Sequence, residues 1–547
     1  MRIVGLIFLL LFQIILFNCS PSNSDEIFIR TNQVGFSPED FKTAIILSKK
    51  KILNQTFSII DIQSEIEVLK KNISDTLKPY GNFKYCYKID FSTLKENGNY
   101  KIRLDEAESY PFKIGENLFN NVRDSLSLFF KVQRCGPTNP ILHQPCHLSD
   151  SFKLIGDKDS SAKDLTGGWH DAGDYIKFLK TTAYTTYMLL FSYEFNNNKF
   201  SYDLNRNDIP DILEEAKIGI DWLLRCNVNN KNLVSQVQDE IDHTVGWRLP
   251  ENDNLQYFRP AFVSMGKNTI GYYSAVLALA SKIWKEKSYD EQFSKNCLKI
   301  AEEFYSFRNS VQDLDTTYSN HYPEKDFNGK LALAAIELYN ITLNKDYLDE
   351  AFEYGRKAGA DYWWSVGDIN SLAHYKIAKY DSDFSKYLFQ NLRHFTHNSE
   401  NNIFGEGLDY SWGTTNTFLG ISLQAILYKK LTGSNEFDDL AKNHVDYVLG
   451  KNQWGISFIH NIGSNFVRNL HSQVAFFNNG YLPGGLSARP APASLLKKYK
   501  INRSNLNLIV FNSDSIQYFD DRNDFVCNEP SISSNATALF VFGCFSK

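Results

Sequence analysis

The chain has 547 residues, 43% hydrophobic and 22% charged, which excludes a disordered, collagen-like or small disulfide-stapled protein and leaves room for more than one core. Its 58 basic and 63 acidic residues are scattered along the chain and give a formal charge of -5, which argues against nucleic acid or an acidic membrane surface as the main partner. A neutral partner fits better, and 30 Tyr and 8 Trp provide rings that would suit stacking on sugars or bases.

Residues 1–18 read as an export signal. Met1 and Arg2 form a basic start, Ile3 to Phe17 is almost wholly apolar, and a polar stretch follows, a pattern too short for a comfortable membrane span. The run Leu16-Phe17-Asn18-Cys19 resembles the lipobox of bacterial lipoproteins, with Asn18 departing from the usual small residue. Cys19 is then the candidate lipid attachment point. The expected location is outside the cytoplasm, as a cell-surface, outer-membrane or periplasmic lipoprotein or a secreted protein, with the membrane reached only through that anchor. The eight cysteines are irregularly spaced and do not read as a disulfide framework.

From residue 26 to 115 short alternating runs such as Glu26–Arg30, Thr43–Leu47 and Gly98–Leu104 are separated by turn clusters, which predicts a small all-β sandwich. From 116 to 547 the character changes. Asn117–Arg134, Ile209–Cys226, Thr269–Lys287, Phe327–Tyr339, Thr417–Leu431 and Phe437–Leu449 carry apolar residues at helical spacing, which predicts an all-α solenoid closed into a barrel. No sequence period marks an internal repeat.

Two clusters carry candidate chemistry. In Gly167-Gly168-Trp169-His170-Asp171-Ala172-Gly173-Asp174-Tyr175, Asp171 and Asp174 are spaced to point the same way and hold one water; an acidic turn capping the next helix has the same composition. Near the other end, Glu529 follows Asn528 and precedes a helical window from Ser531 to Phe542, where an acid also suits the helix dipole.

Taken together, the clusters resemble glycoside hydrolase family 9, which carries a Gly-Gly-Trp-Tyr/His-Asp-Ala-Gly-Asp element early and an Asn-Glu element late. Further matching pieces are Asp242-His243, Trp247, Pro250-Glu251, Ser411–Asn416, Tyr447–Asn452 and Pro483-Gly484-Gly485, and Arg30–Phe36 is similar to the opening of the immunoglobulin-like module that precedes many such domains. The resemblance implies an immunoglobulin-like sandwich followed by an (α/α)6 barrel. It also implies inverting hydrolysis of a β-glycosidic bond, with Glu529 as general acid, Asp174 as general base and Asp171 orienting the water. Trp247, Trp412 and Tyr518 become candidates for stacking on sugar. The substrate expected is a β-glucan cut internally at β-1,4 bonds. The alternatives are an exo-acting β-glucosidase or glucosaminidase of the same family, and a non-catalytic glycan-binding lipoprotein.

Cys135, Cys146, His147 and His170 offer two thiolates and two imidazoles, a closed tetrahedral set for a structural zinc. Their spacing matches no common finger, and a Cys135–Cys146 disulfide is the rival reading; the family resemblance implies zinc. One stretch departs from the family. Where cellulose-cleaving members have Pro-His-His-Arg to grip glucose, this chain has Leu470-His471-Ser472-Gln473. His471 is retained as a candidate sugar contact, while Ser472 and Gln473 replace charged donors by neutral ones.

Overall fold

The structure is a computed structural model that describes residues 26–150, 153–156, 163–255, 259–315, 321–488 and 490–546. The apolar leader and Cys19 lie outside the described residues.

The alternating runs fold into two facing sheets. One is ordered β1 (Ile27–Arg30), β3 (Thr43–Ser48), β7 (Tyr85–Asp90), β6 (Asp75–Leu77). The other is ordered β2 (Gly35–Phe36), β10 (Phe112–Ile114), β8 (Gly98–Leu104), β4 (Thr56–Asp61), β5 (Glu67–Asn72), with β9 (Ala107–Glu108) paired to β8. Because side chains alternate along a strand, β3 serves two cores. Ala44 and Ile46 pack with Phe57, Ile59 and Ile102 inside the sandwich, whereas Ile45 and Leu47, with Phe83 and Cys86, belong to the core of the helical domain. Polar contacts seal the same face: Asn32 Nδ2 donates to Asp446 Oδ1 at 2.8 Å, and Arg30 Nε to the carbonyl of Gln453 at 3.1 Å.

The second domain is the expected (α/α)6 barrel. Along the chain an outer helix is followed by an inner one: α1 (Asn120–Gln133), α2 (Leu179–Phe195), α3 (Asp211–Arg225), α4 (Lys267–Lys287), α5 (Glu291–Ser306), α6 (Asn328–Thr342), α7 (Lys345–Ala358), α8 (Asn370–Ile377), α9 (Ser385–Glu400), α10 (Thr414–Thr432), α11 (Asp438–Val448) and α12 (Ile532–Phe545). The even-numbered helices contact one another in a ring that α12 closes against α2. Six structural repeats are therefore present without a sequence period.

Burial explains the pattern. Every residue of α2 from Leu179 to Tyr193 is buried, so it shows no amphipathic stripe. Outer α7 fully buries only Ala351 and Gly355, with Tyr347, Leu348 and Phe352 packed half-buried against the core. A small sheet also sits within this domain, β11 (Leu154–Ile155), β15 (Ala261–Val263), β14 (Asn232–Val237) and β12 (Lys177–Phe178), with β13 (Asn227–Val228) on β14. The wholly helical reading of this half missed it because most of these strands are too short to show a period of two. The segments leading into inner helices α2, α4, α6, α10 and α12 carry Asp171 and Asp174, Trp247, Tyr322, Trp412 and Glu529 respectively, so one end of the barrel collects the polar chemistry.

Candidate active site and metal centre

Gly167 and Gly168 have φ of +92° and +71°, a region that side chains resist, and a Cβ on Gly168 would stand 2.7 Å from Trp222 Cγ. The turn they make leads to Trp169, which bridges to Arg134, and sends His170 and Asp171 in different directions. His170 turns into the cysteine cluster, while Asp171 Oδ2 accepts from the Tyr322 hydroxyl. The Asp171 carbonyl takes the Ile532 amide at 2.9 Å, tying the loop to the start of α12. Asp174 Oδ1 accepts from the Ile176 amide at 2.9 Å, a side-chain turn placed before α2 begins at Leu179, so neither aspartate caps that helix. Nor is Glu529 the cap of α12, since Ser531 holds that position.

The two clusters meet at Gly173. Its amide donates to Glu529 Oε1 at 3.2 Å, and a Cβ there would lie 3.1 Å from that oxygen and 2.1 Å from the His471 carbonyl, so only glycine fits between them. Burial, then the neighbouring Asp174 charge, pushes Glu529 up to about 8. Burial lifts Asp171 to about 6. Asp174 is raised as well, by burial and by the Asp242 and Asp171 carboxylates. These groups cannot all ionise together at neutral pH. His243 Nδ1 stands 3.4 Å from Asp174 Oδ2, and its charge also opposes the rise at Glu529. Asp171 Oδ1 is buried without a close hydrogen-bond partner among the described residues, leaving an acceptor available.

The sugar-contact candidates divide. Trp247 stacks on Phe476 with centroids 5.1 Å apart and meets the edge of His471 at 5.1 Å. Trp412, 46% exposed, packs near Tyr499 and Phe525, and Phe525 lies 5.9 Å from His471. An aromatic path thus runs from Phe476 through His471 to Trp412. Tyr518 is a correction: it is fully buried and its hydroxyl donates to Asn528 Oδ1 at 3.0 Å, so it has no face for a sugar and instead positions the residue before Glu529.

The altered grip is also corrected in detail. Ser472 and Gln473 are buried. Ser472 caps the short helix Gln473–Phe477, and Gln473 Oε1 accepts from the Arg248 amide at 3.1 Å, so both side chains help to hold the local loops in place. His471 gives its Nδ1 proton to the Arg522 carbonyl at 2.8 Å, and burial lowers its pKa, so the neutral ring presents Nε2 as an acceptor. Arg522 itself lies over Phe476 at 5.0 Å and lines a hollow of ≈ 400 Å³ with Trp247, Asn469 and Asn505. Tyr322, His243 and Arg522 were absent from the candidate residues. Only His243 had a sequence signal, its pairing with Asp242.

The second constellation assembles completely. Cys135, Cys146, His147 and His170 are buried with their ligand atoms within 4.8 Å of one another. Cys135 Sγ is 3.6 Å from His147 Nδ1, Cys146 Sγ is 3.7 Å from His170 Nε2, and the two ring nitrogens are 3.1 Å apart. Both cysteines are free thiols, against the disulfide reading. His147 Nε2 faces Asp253 Oδ2 at 3.0 Å, the carboxylate support that leaves Nδ1 as a metal ligand. Burial lowers His170 to about 4, so its imidazole is in the neutral, ligating form. The donor set fits a metal ion.

Comparison with known proteins agrees with the geometry. The profile described as Cellulase N-terminal ig-like domain matches residues 25–109. Endoglucanase D of Acetivibrio thermocellus is 24% identical over 498 residues, covering 84% of this chain and 77% of its own. A xyloglucan-specific endo-beta-1,4-glucanase of Bacteroides ovatus is 23% identical over 585 residues, covering 95% and 94%. The crystal structure of a metagenome-derived glycoside hydrolase family 9 endoglucanase superimposes with a TM-score of 0.81 at 23% identity, covering 95% of this chain and 99% of that one. The profile of Glycosyl hydrolase family 9 matches residues 119–542, so a sandwich, an (α/α)6 barrel and three converging carboxyl groups make this chain a glycoside hydrolase that belongs to that family.

Proposed function

We propose that the protein cleaves internal β-1,4 bonds of a soluble or branched β-glucan with inversion at the anomeric carbon. The observation that carries this reading is Glu529, pushed up to about 8 and hydrogen-bonded to the loop of Asp171 and Asp174. With Oε1 accepting from Gly173, Oε2 holds the proton and gives it to the glycosidic oxygen as the bond from C1 breaks. Asp174, which accepts from the Ile176 amide and has His243 Nδ1 at 3.4 Å, takes a proton from the water that bonds to C1 on the opposite face. Asp171, held at Oδ2 by Tyr322, uses Oδ1 to accept the other hydrogen of that water.

Endo action is favoured by the aromatic path, whose ends at Phe476 and Trp412 are 38% and 46% exposed, so several sugars can lie along it. A branched substrate is favoured by the xyloglucan-specific relative and by the inward turn of Ser472 and Gln473. Zinc is the ion that two thiolates and two imidazoles suit best; bound there it would cross-link the loops that support His170 and Asp171. Export as a lipid-anchored or secreted enzyme remains our proposal from the leader sequence. The test is NMR of the first product from xyloglucan, mixed-linkage glucan, cello-oligosaccharides and crystalline cellulose. Release of the α-anomer from internal bonds supports the reading; a β-anomer, or glucose alone from chain ends, overturns it.

A further inference from the structure

Beside the carboxylates lies a second group of metal-ligating side chains. Glu240, His243 and His321 are exposed, with ligand atoms within 4.8 Å of one another. Glu240–Thr244 is a short 3-10 helix, in which residues three apart eclipse, so Glu240 and His243 project together. Glu240 Oε1 is 2.5 Å from His321 Nε2, and Oε2 is 3.5 Å from His243 Nε2. The other nitrogen of His243 faces Asp174 Oδ2 at 3.4 Å. That is the carboxylate–imidazole arrangement that fixes the tautomer of a metal-binding histidine and leaves Nε2 bare.

We propose that Glu240, His243 and His321 bind a divalent transition-metal ion such as zinc at the lip of the cleft, and that its binding reversibly inhibits hydrolysis. Three donors around a small ion at about 2.1 Å need only a modest closure of these side chains. One nitrogen-rich carboxylate site with positions left open suits zinc or copper(II) better than calcium or magnesium. Its position gives it leverage on the chemistry. Through His243 it would draw electron density from Asp174, and through His321 it would pin the residue before Tyr322, which holds Asp171. Both groups that handle the water would then be restrained.

The inhibitory half rests on the reading of Asp174 as base; the site itself does not. The test is calorimetric titration of the full chain with zinc chloride, after the Cys/His cluster has been saturated, alongside initial rates on a soluble β-glucan. Expected are one further exchangeable ion per chain and a rate that falls at least tenfold with the same midpoint and returns on brief chelation. His321→Ala and Glu240→Gln should retain the zinc-free rate, bind zinc about 10- to 100-fold more weakly, and resist inhibition in proportion. No binding beyond the buried cluster, or unchanged binding in both variants, overturns the site. Binding without loss of rate overturns the inhibition, while full zinc-free activity in Asp174→Asn with zinc binding intact would fault the base assignment alone.

Discussion

The Gly173 amide donates to Oε1 of Glu529 at 3.2 Å across 356 positions of sequence. The loop that carries Asp171 and Asp174 therefore also aims the third carboxyl group. Two further backbone bonds, Ile532 to the Asp171 carbonyl and Gln473 to the Gly173 carbonyl, lock the same loop to the segments on either side of the cleft. Acid and base are positioned by main chain, which varies less in geometry than two freely rotating side chains.

Glu529→Gln and Asp174→Asn should each fold normally and lose about two to four orders of magnitude in turnover on a natural glycan. An aryl glycoside with an activated leaving group needs no proton, so it should restore the Glu529 variant more than the Asp174 variant. Steady-state rates on both substrates check this, and stronger rescue of the Asp174 variant would reverse the assigned roles.

The alkaline limb of kcat/KM should fall near pH 8, where Glu529 loses its proton. Since the Asp174 charge is one cause of that elevation, residual activity of Asp174→Asn should show this limb at lower pH. Stability follows the same sign. A carboxyl raised in the folded state is ionised more easily when unfolded, so the fold is penalised increasingly from the ordinary glutamate value of 4.5 up to about 8. Melting curves of Glu529→Gln should therefore gain on the wild type across that window and converge with it in acid.

For the buried metal centre, mass spectrometry of the native protein should find one zinc held by Cys135, Cys146, His147 and His170. Asp253→Asn leaves all four ligands in place but weakens the support of His147 Nε2, and should reduce zinc affinity about 10- to 100-fold. Chelation should lower the melting temperature before it changes the pH profile, because a closed shell has no water to activate.

Trp247→Ala should raise KM for long oligosaccharides with little change in melting temperature, since its ring lies on a partly open path beside His471. Tyr518→Phe should do the reverse. Loss of its hydrogen bond to Asn528 destabilises by about 0.5 to 1.5 kcal/mol and acts on turnover only through the placement of Glu529. Denaturant melts and KM measured together distinguish the two.

The sandwich, the barrel and the three carboxyl groups were legible because each depends on local pattern or on a dense motif. The four Cys/His candidates were singled out through the family resemblance, since their spacing alone left a Cys135–Cys146 disulfide open. What escaped depends on direction. Nothing in Tyr518-Phe519-Asp520 reveals that the tyrosine ring turns inward, and nothing in His321-Tyr322 reveals a hydroxyl aimed at Asp171, because tertiary packing chooses both. Inner helix α2, buried from Leu179 to Tyr193, also escaped, its run of Thr and aromatic residues carrying no polar face.

The outward face of strand β3 has a consequence for biosynthesis. Phe83 lies against Phe511 with centroids 5.8 Å apart, and Phe28 meets the same ring at 4.9 Å. At about 5 to 20 residues per second, the roughly 430 positions between Phe83 and Phe511 take on the order of 20 to 90 s to be made. Throughout that interval Phe28 and Phe83 lack the ring that packs on them in the finished molecule. The sandwich is thus made before the barrel yet completed only with it, so a chain stalled before Phe511 should be a client for chaperones and a nucleus for aggregation.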